Sequence, residues 1–180
     1  MTTLTTCIAL IRGINVGKAR RLAMADLRTL IADCGGNNVR TLLNSGNAVF
    51  ETADTDVNAW SQRIRTGIEQ RAGFSAEVIV MSADNLRCIV NDNPLAEQEL
   101  DSARYLVAFV ADPQILDRLQ PLSQNVQAPE QLCVGRYAAY LWCADGIMES
   151  KILKPFNKLT GDAATTRNWA TVQKLLAMTT

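Results

Sequence analysis

The sequence contains no histidine. That absence removes the commonest general base at neutral pH, every Ser-His or Cys-His nucleophile pair and the usual zinc ligand sets, leaving any catalysis to Asp, Glu, Lys, Arg or Tyr. An excess of one charge is lacking too. Eighteen Lys and Arg residues offset 18 Asp and Glu, so no long-range field draws the protein to nucleic acid or an anionic membrane, and such a contact would need a local patch. No apolar run approaches the length of a membrane span, and the opening residues show no basic region followed by an apolar signal core. No membrane partner is therefore expected, and the expected location is cytoplasmic. The five cysteines (Cys7, Cys34, Cys88, Cys133, Cys143) have no C-x-x-C spacing and mostly lie inside apolar runs, which predicts reduced core thiols with no disulfide and no metal. What remains is ample for a core: 180 residues, 48% of them hydrophobic, suit one domain or two joined halves.

The chain is organised around Arg12-Gly13-Ile14-Asn15-Val16-Gly17-Lys18, a polar loop between an apolar run at 7–11 and an amphipathic segment at 24–34. Glycines in a strand-to-helix loop let the backbone approach a ligand and present its N–H groups, as phosphate-cradling loops do. The spacing matches neither the dinucleotide G-x-G-x-x-G nor the G-x-x-x-x-G-K-[ST] of nucleotide triphosphatases, so no cofactor is implied, and a connection that simply needs glycine is the competing reading.

Residues 7–11 are apolar on both alternating faces, which predicts a central strand of a sheet covered on both sides. Met24, Leu27, Leu30, Ile31 and Cys34 make a helical stripe that Gly35-Gly36 ends. Residues 39–43 and 48–50 read as a hairpin about Asn44-Ser45-Gly46-Asn47. Val57, Trp60, Ile64 and Ile68 form a second stripe, and 77–81 a further strand. The order β-α-β-β-α-β predicts a split β-α-β, ferredoxin-like half over 1–97. A short helix at 83–90 precedes a polar link at 98–102.

The remainder, 98–180, is expected to repeat the pattern. Its elements are a strand at 105–111, a helix at 113–119, a loop at 121–129, and strands at 132–134 and 137–143 joined by a type II′ turn at Gly135-Arg136. Lys151, Lys154 and Lys158 share one helical stripe, either a solvated or an anion-binding face. Thr165 or Thr166 is expected to cap a closing helix that packs Trp169, Val172, Leu175 and Leu176 inward, with Arg167 and Asn168 in its first turn. Arginine there opposes the helix dipole, which suggests a bound anion or a carboxylate partner.

Three motifs carry a family resemblance: Leu10-Ile11-Arg12-Gly13-Ile14-Asn15-Val16-Gly17 with Met24-Ala25-Asp26-Leu27, then Asn44-Ser45-Gly46-Asn47-Ala48-Val49-Phe50, and Ala164-Thr165-Thr166-Arg167-Asn168-Trp169. Together, over nearly the whole chain, they resemble the uncharacterised family catalogued as domain of unknown function 1697. The resemblance implies an α+β protein of two ferredoxin-like halves packed together, and no established activity, substrate or cofactor. This chain departs from the common pattern at Leu42-Leu43-Asn44 and Ala19-Arg20-Arg21.

Three functions fit. One is binding of a small anionic or phosphate-bearing ligand, or of a partner, with nucleic acid disfavoured by the zero net charge and by Tyr137 and Tyr140 falling on opposite strand faces. The second is an enzyme on a small anionic substrate, with Arg12 or Lys18 as electrophile and Asp26 as base. The third is a scaffold or protein-interaction domain without chemistry. The expected ligand site is Arg12, Gly13, Asn15, Gly17 and Lys18 with Thr166, Arg167 and Asn168. The hairpin residues Asn44, Ser45 and Asn47 are expected outside it, about 17–20 Å away across the sheet, on the reading that the first and third strands run parallel. Oligomeric state is left open.

Overall fold

In a computed structural model of the chain, which describes residues 3–180, both predicted ferredoxin-like halves are present. The first comprises β1 (Thr5–Ile11), α1 (Met24–Asp33), β2 (Asn37–Leu42), β3 (Asn47–Thr52), α2 (Val57–Ala72) and β4 (Val78–Ser82), with strand order β2-β3-β1-β4. The second comprises β5 (Tyr105–Val110), α4 (Gln114–Ser123), β6 (Gln131–Val134), β7 (Ala138–Trp142), α5 (Leu153–Thr160) and β8 (Ala164–Asn168), in the matching order β6-β7-β5-β8. Two further helices follow the fourth strand of each set, α3 (Ala83–Asn91) and α6 (Trp169–Ala177). Every neighbouring strand pair is antiparallel. The compact units divide at Leu86: residues up to Leu86 with Leu175–Thr180 form one, and Arg87–Lys174 the other.

Strand alternation builds each core. In the first unit Cys7, Ala9 and Ile11 of β1 meet Leu27, Leu30 and Ile31 of α1 and Trp60, Ile64 and Ile68 of α2, while Ile8 and Leu10 on the opposite face are buried as well. β4 lies at the edge of its sheet, yet its side chains from Val78 to Met81 are buried. Asp56 caps α2 through bonds from the N–H groups of Asn58 and Ala59, and Gly73 ends it in the left-handed conformation at φ 73°. Trp60 packs against Phe50 at 4.6 Å between ring centroids and donates its indole N–H to the Asp54 carbonyl. In the second unit Leu106, Ala108, Leu119, Leu141 and Phe156 form the corresponding core.

Three expectations need correction here. Residues 164–168 are a strand, not the start of a helix: the consecutive threonines Thr165 and Thr166 pair with Phe109 and Ala108 of β5, a place that suits β-branched side chains. The capping role passes to Asn168, whose Oδ1 accepts the Thr171 N–H at 2.9 Å. Second, α4 runs through Pro121 to Ser123, where a loop was expected to begin. Third, Gly135 does not have the positive φ of a type II′ turn. Its missing side chain serves close approach instead, because a Cβ there would lie 2.7 Å from the Asp92 carboxylate and 2.9 Å from the Tyr140 ring. That carboxylate accepts the Arg136 N–H across the turn.

Candidate functional site

Because β1 and β3 are antiparallel, with Leu10 opposite Asn47, the loop leaving β1 and the turn entering β3 share one end of the sheet. This overturns the expected separation of Asn44, Ser45 and Asn47 from the loop. In a split β-α-β unit the parallel strands are the first and second, and the third lies between them running the other way. The Ile11 N–H donates to the Gly46 carbonyl at 2.8 Å. Gly46 sits at φ 84°, and a Cβ there would come within 2.9 Å of the Ile11 backbone oxygen and of Ile14 Cδ1.

Asn15 locks the two segments together. Its Nδ2 donates to the Asn44 carbonyl and to the Leu22 carbonyl, both at 2.8 Å, while its Oδ1 accepts the Leu22 N–H at 2.9 Å. The Asn15 N–H also donates to the Arg20 carbonyl at 3.0 Å. Asn15 adopts φ 57°, a left-handed conformation that asparagine tolerates better than most residues. Asn47 is fully buried and donates to the Leu42 carbonyl and Ser45 Oγ, which holds the turn from inside. Asn44, Ser45 and Asn47, expected far from the loop, thus lie at the same end of the sheet as it. The signal for that placement is the β-α-β-β order read with the correct strand direction.

Within the loop, φ is positive at Gly13 (66°), Asn15 (57°) and Gly17 (65°) and negative at Ile14 and Val16 between them. Alternation of φ sign of this kind occurs in the backbone nests of many anion sites. The N–H groups of Val16, Gly17 and Lys18 have no protein acceptor among the described residues. Of the nearby cations, Arg20 is committed: its guanidinium donates to the Ser75 carbonyl and stands 5.6 Å from the Phe74 ring centroid, passing over Gly13. Arg12 is half-buried and its backbone N–H donates to the Glu77 carbonyl at 2.8 Å. Lys18 and Arg21 are exposed and have no ion-pair partner among the described residues.

The other expected site residues, Thr166, Arg167 and Asn168, belong to the second unit and to β8. Arg167 is buried and donates to Thr165 Oγ1 at 2.9 Å and to the Thr166 carbonyl at 2.8 Å. Loss of hydration pulls its guanidinium down to about 10, which still leaves it charged at neutral pH. Lying in a strand and bonded to Thr165 and Thr166, Arg167 does not oppose a helix dipole. Asp26 is exposed in the first turn of α1. No group of three or more Cys, Asp or Glu residues that could hold a metal ion occurs among the described residues, and no helix among them is long and apolar enough to cross a membrane.

The interlocked loop and turn contain two of the three motifs that carry the resemblance, and the family model for a protein of unknown function (DUF1697) matches residues 4–140. The chain belongs to the DUF1697 family. A solved structure, the conserved bacterial protein SP0830 from Streptococcus pneumoniae, is similar over 99% of this chain and 100% of its own, with a TM-score of 0.80 and 22% identity. At that identity the likeness speaks to the fold alone. No match was found among curated proteins.

Proposed function

We propose that the first unit binds a small anion of the phosphate type in the loop of Arg12, Gly13, Asn15, Gly17 and Lys18. The observation that carries this reading is the alternation of φ sign from Gly13 to Gly17, held rigid by Asn15, with open N–H groups at Val16, Gly17 and Lys18. Lys18 and Arg21 supply charge nearby, and Arg20 acts as a strap rather than a ligand. Nothing in the loop pairs a base with a nucleophile, so binding is favoured over catalysis.

Pyrophosphate titrated into the isotopically labelled protein tests this. The expected result is saturable movement of the Val16, Gly17 and Lys18 amide signals that weakens as salt rises and in Lys18→Ala/Arg21→Ala. At a hundredfold excess over its dissociation constant the ligand would stabilise the fold by about 2.7 kcal/mol. Amide signals that stay in place at millimolar pyrophosphate overturn the reading.

A further inference from the structure

The second unit contains a cleft of ≈ 270 Å³ that the sequence did not announce. It lies between the end of α4, the connection at 125–130 and the segment that leads into α5. Its walls are joined: the Lys151 N–H donates to both carboxylate oxygens of Glu130, at 3.2 and 3.3 Å, and Asn125 Nδ2 donates to the Pro121 carbonyl at 2.7 Å. The cleft is therefore part of the fold rather than something a ligand must open.

Two kinds of surface meet in it. Leu122, Val126 and Ile152 belong to or pack against the unit's core, and they give the cleft an apolar floor. Asp145 and Glu149 are exposed at the rim and have no hydrogen-bond or ion-pair partner among the described residues, and the Lys151 ammonium pairs with neither. With Glu130, three carboxylates face one ammonium, in a chain that is neutral as a whole. An apolar floor beneath a negative rim complements a molecule with an apolar body and a positive end, and repels an organic anion.

We propose that this cleft binds a small primary amine, its hydrocarbon body on Leu122, Val126 and Ile152 and its ammonium at Asp145 and Glu149. The site is independent of the loop in the first unit. Phenethylamine is the probe, with 2-phenylethanol as its neutral counterpart, 3-phenylpropionate as its anionic one and methylamine as a cation without the apolar body.

Followed by the methyl signals of Val126 and Ile152 in the intact protein, phenethylamine is expected to bind about tenfold more tightly than the alcohol, the strength of two partly exposed ion pairs. The acid and methylamine are expected to bind more weakly still than the alcohol and the aryl amine respectively. Asp145→Asn/Glu149→Gln, which alters only exposed side chains, is expected to remove the preference for the amine over the alcohol. The proposal is overturned by equal binding of amine and alcohol, by methylamine matching phenethylamine, by a preference that survives the double substitution, or by no binding at all.

Discussion

The two units share one topology and spend very different lengths of chain on the same connection. Between first strand and first helix the second unit uses three residues, 111–113, with Asp112 Oδ1 accepting the Gln114 N–H at 2.9 Å. The first unit uses twelve, 12–23. Three residues are thus enough to close this turn, so the longer loop is not demanded by the topology. It is nevertheless built in: Ile14 and Leu22 are buried, and the loop is fastened to the hairpin turn. The hairpins differ in the same sense. The turn at 43–46 has left-handed residues at Leu43 (φ 58°) and Gly46 (φ 84°), whereas none of residues 135–137 is left-handed. An ordered insertion with unusual backbone is where a working surface is expected, and only the first unit has one at this end.

The contrast is open to attack at its glycines. At Gly46 a side chain would combine a positive φ with collisions against the Ile11 backbone, which cannot swing aside. Gly46→Ala is expected to cost about 3 kcal/mol or more in urea unfolding. At Gly135 φ is ordinary and the two nearest obstacles are side chains, the Asp92 carboxylate at 2.7 Å and the Tyr140 ring at 2.9 Å, so Gly135→Ala should cost about 1–2 kcal/mol. Equal losses would show that the two turns are not under different constraint.

Next in size is Asn15→Ala, which removes three side-chain hydrogen bonds and places alanine at a positive φ. About 2–3 kcal/mol should be lost, together with pyrophosphate binding. A variant that kept its affinity would show that the loop does not need its clamp.

The smallest effect belongs to the second unit. The buried Tyr140 hydroxyl donates to the Ile89 carbonyl at 2.6 Å, and Tyr140→Phe should cost about 1–2 kcal/mol at neutral pH. Burial, with the Asp92 charge adding to it, raises this hydroxyl well above the ordinary tyrosine value of 10.0. The unfolded chain therefore releases this proton first as pH rises, so the contribution is intact below pH 10 and declines above it. Comparing unfolding at neutral pH and at about pH 10.5 should show a shallower alkaline decline in the variant than in the parent, with the remaining slope due to Tyr105 and to the thiols of Cys7, Cys34, Cys133 and Cys143, all raised by burial. Parallel declines would mean that Tyr140 titrates alike in both states.

Much of the fold was legible because its signals are local. The stripe Trp60, Ile64, Ile68 and the stops at Gly35 and Gly73 mark the helices directly. β8 was misread because Thr165 and Thr166 serve equally well as caps and as strand residues, and only pairing with β5, more than fifty residues earlier in the chain, decides between them. For the candidate site, glycine spacing points to the loop, but the loop's neighbourhood depends on strand direction, which the local pattern does not give. The commitment of Arg20 to Ser75 and Phe74 likewise joins positions remote in sequence, and no local pattern announces it.

One feature of the first unit bears on how the molecule is made. Arg40 of β2 donates to the Met178 carbonyl at 2.6 Å, and Leu175–Thr180 counts among the residues of that unit. A chain emerging from the ribosome presents residues 3–86 long before 175–180, so the half that begins first acquires its full set of contacts after the half that begins second. Elongation order and completion order are thus reversed, and a nascent first unit must wait through the synthesis of the whole second one before Arg40 finds its acceptor.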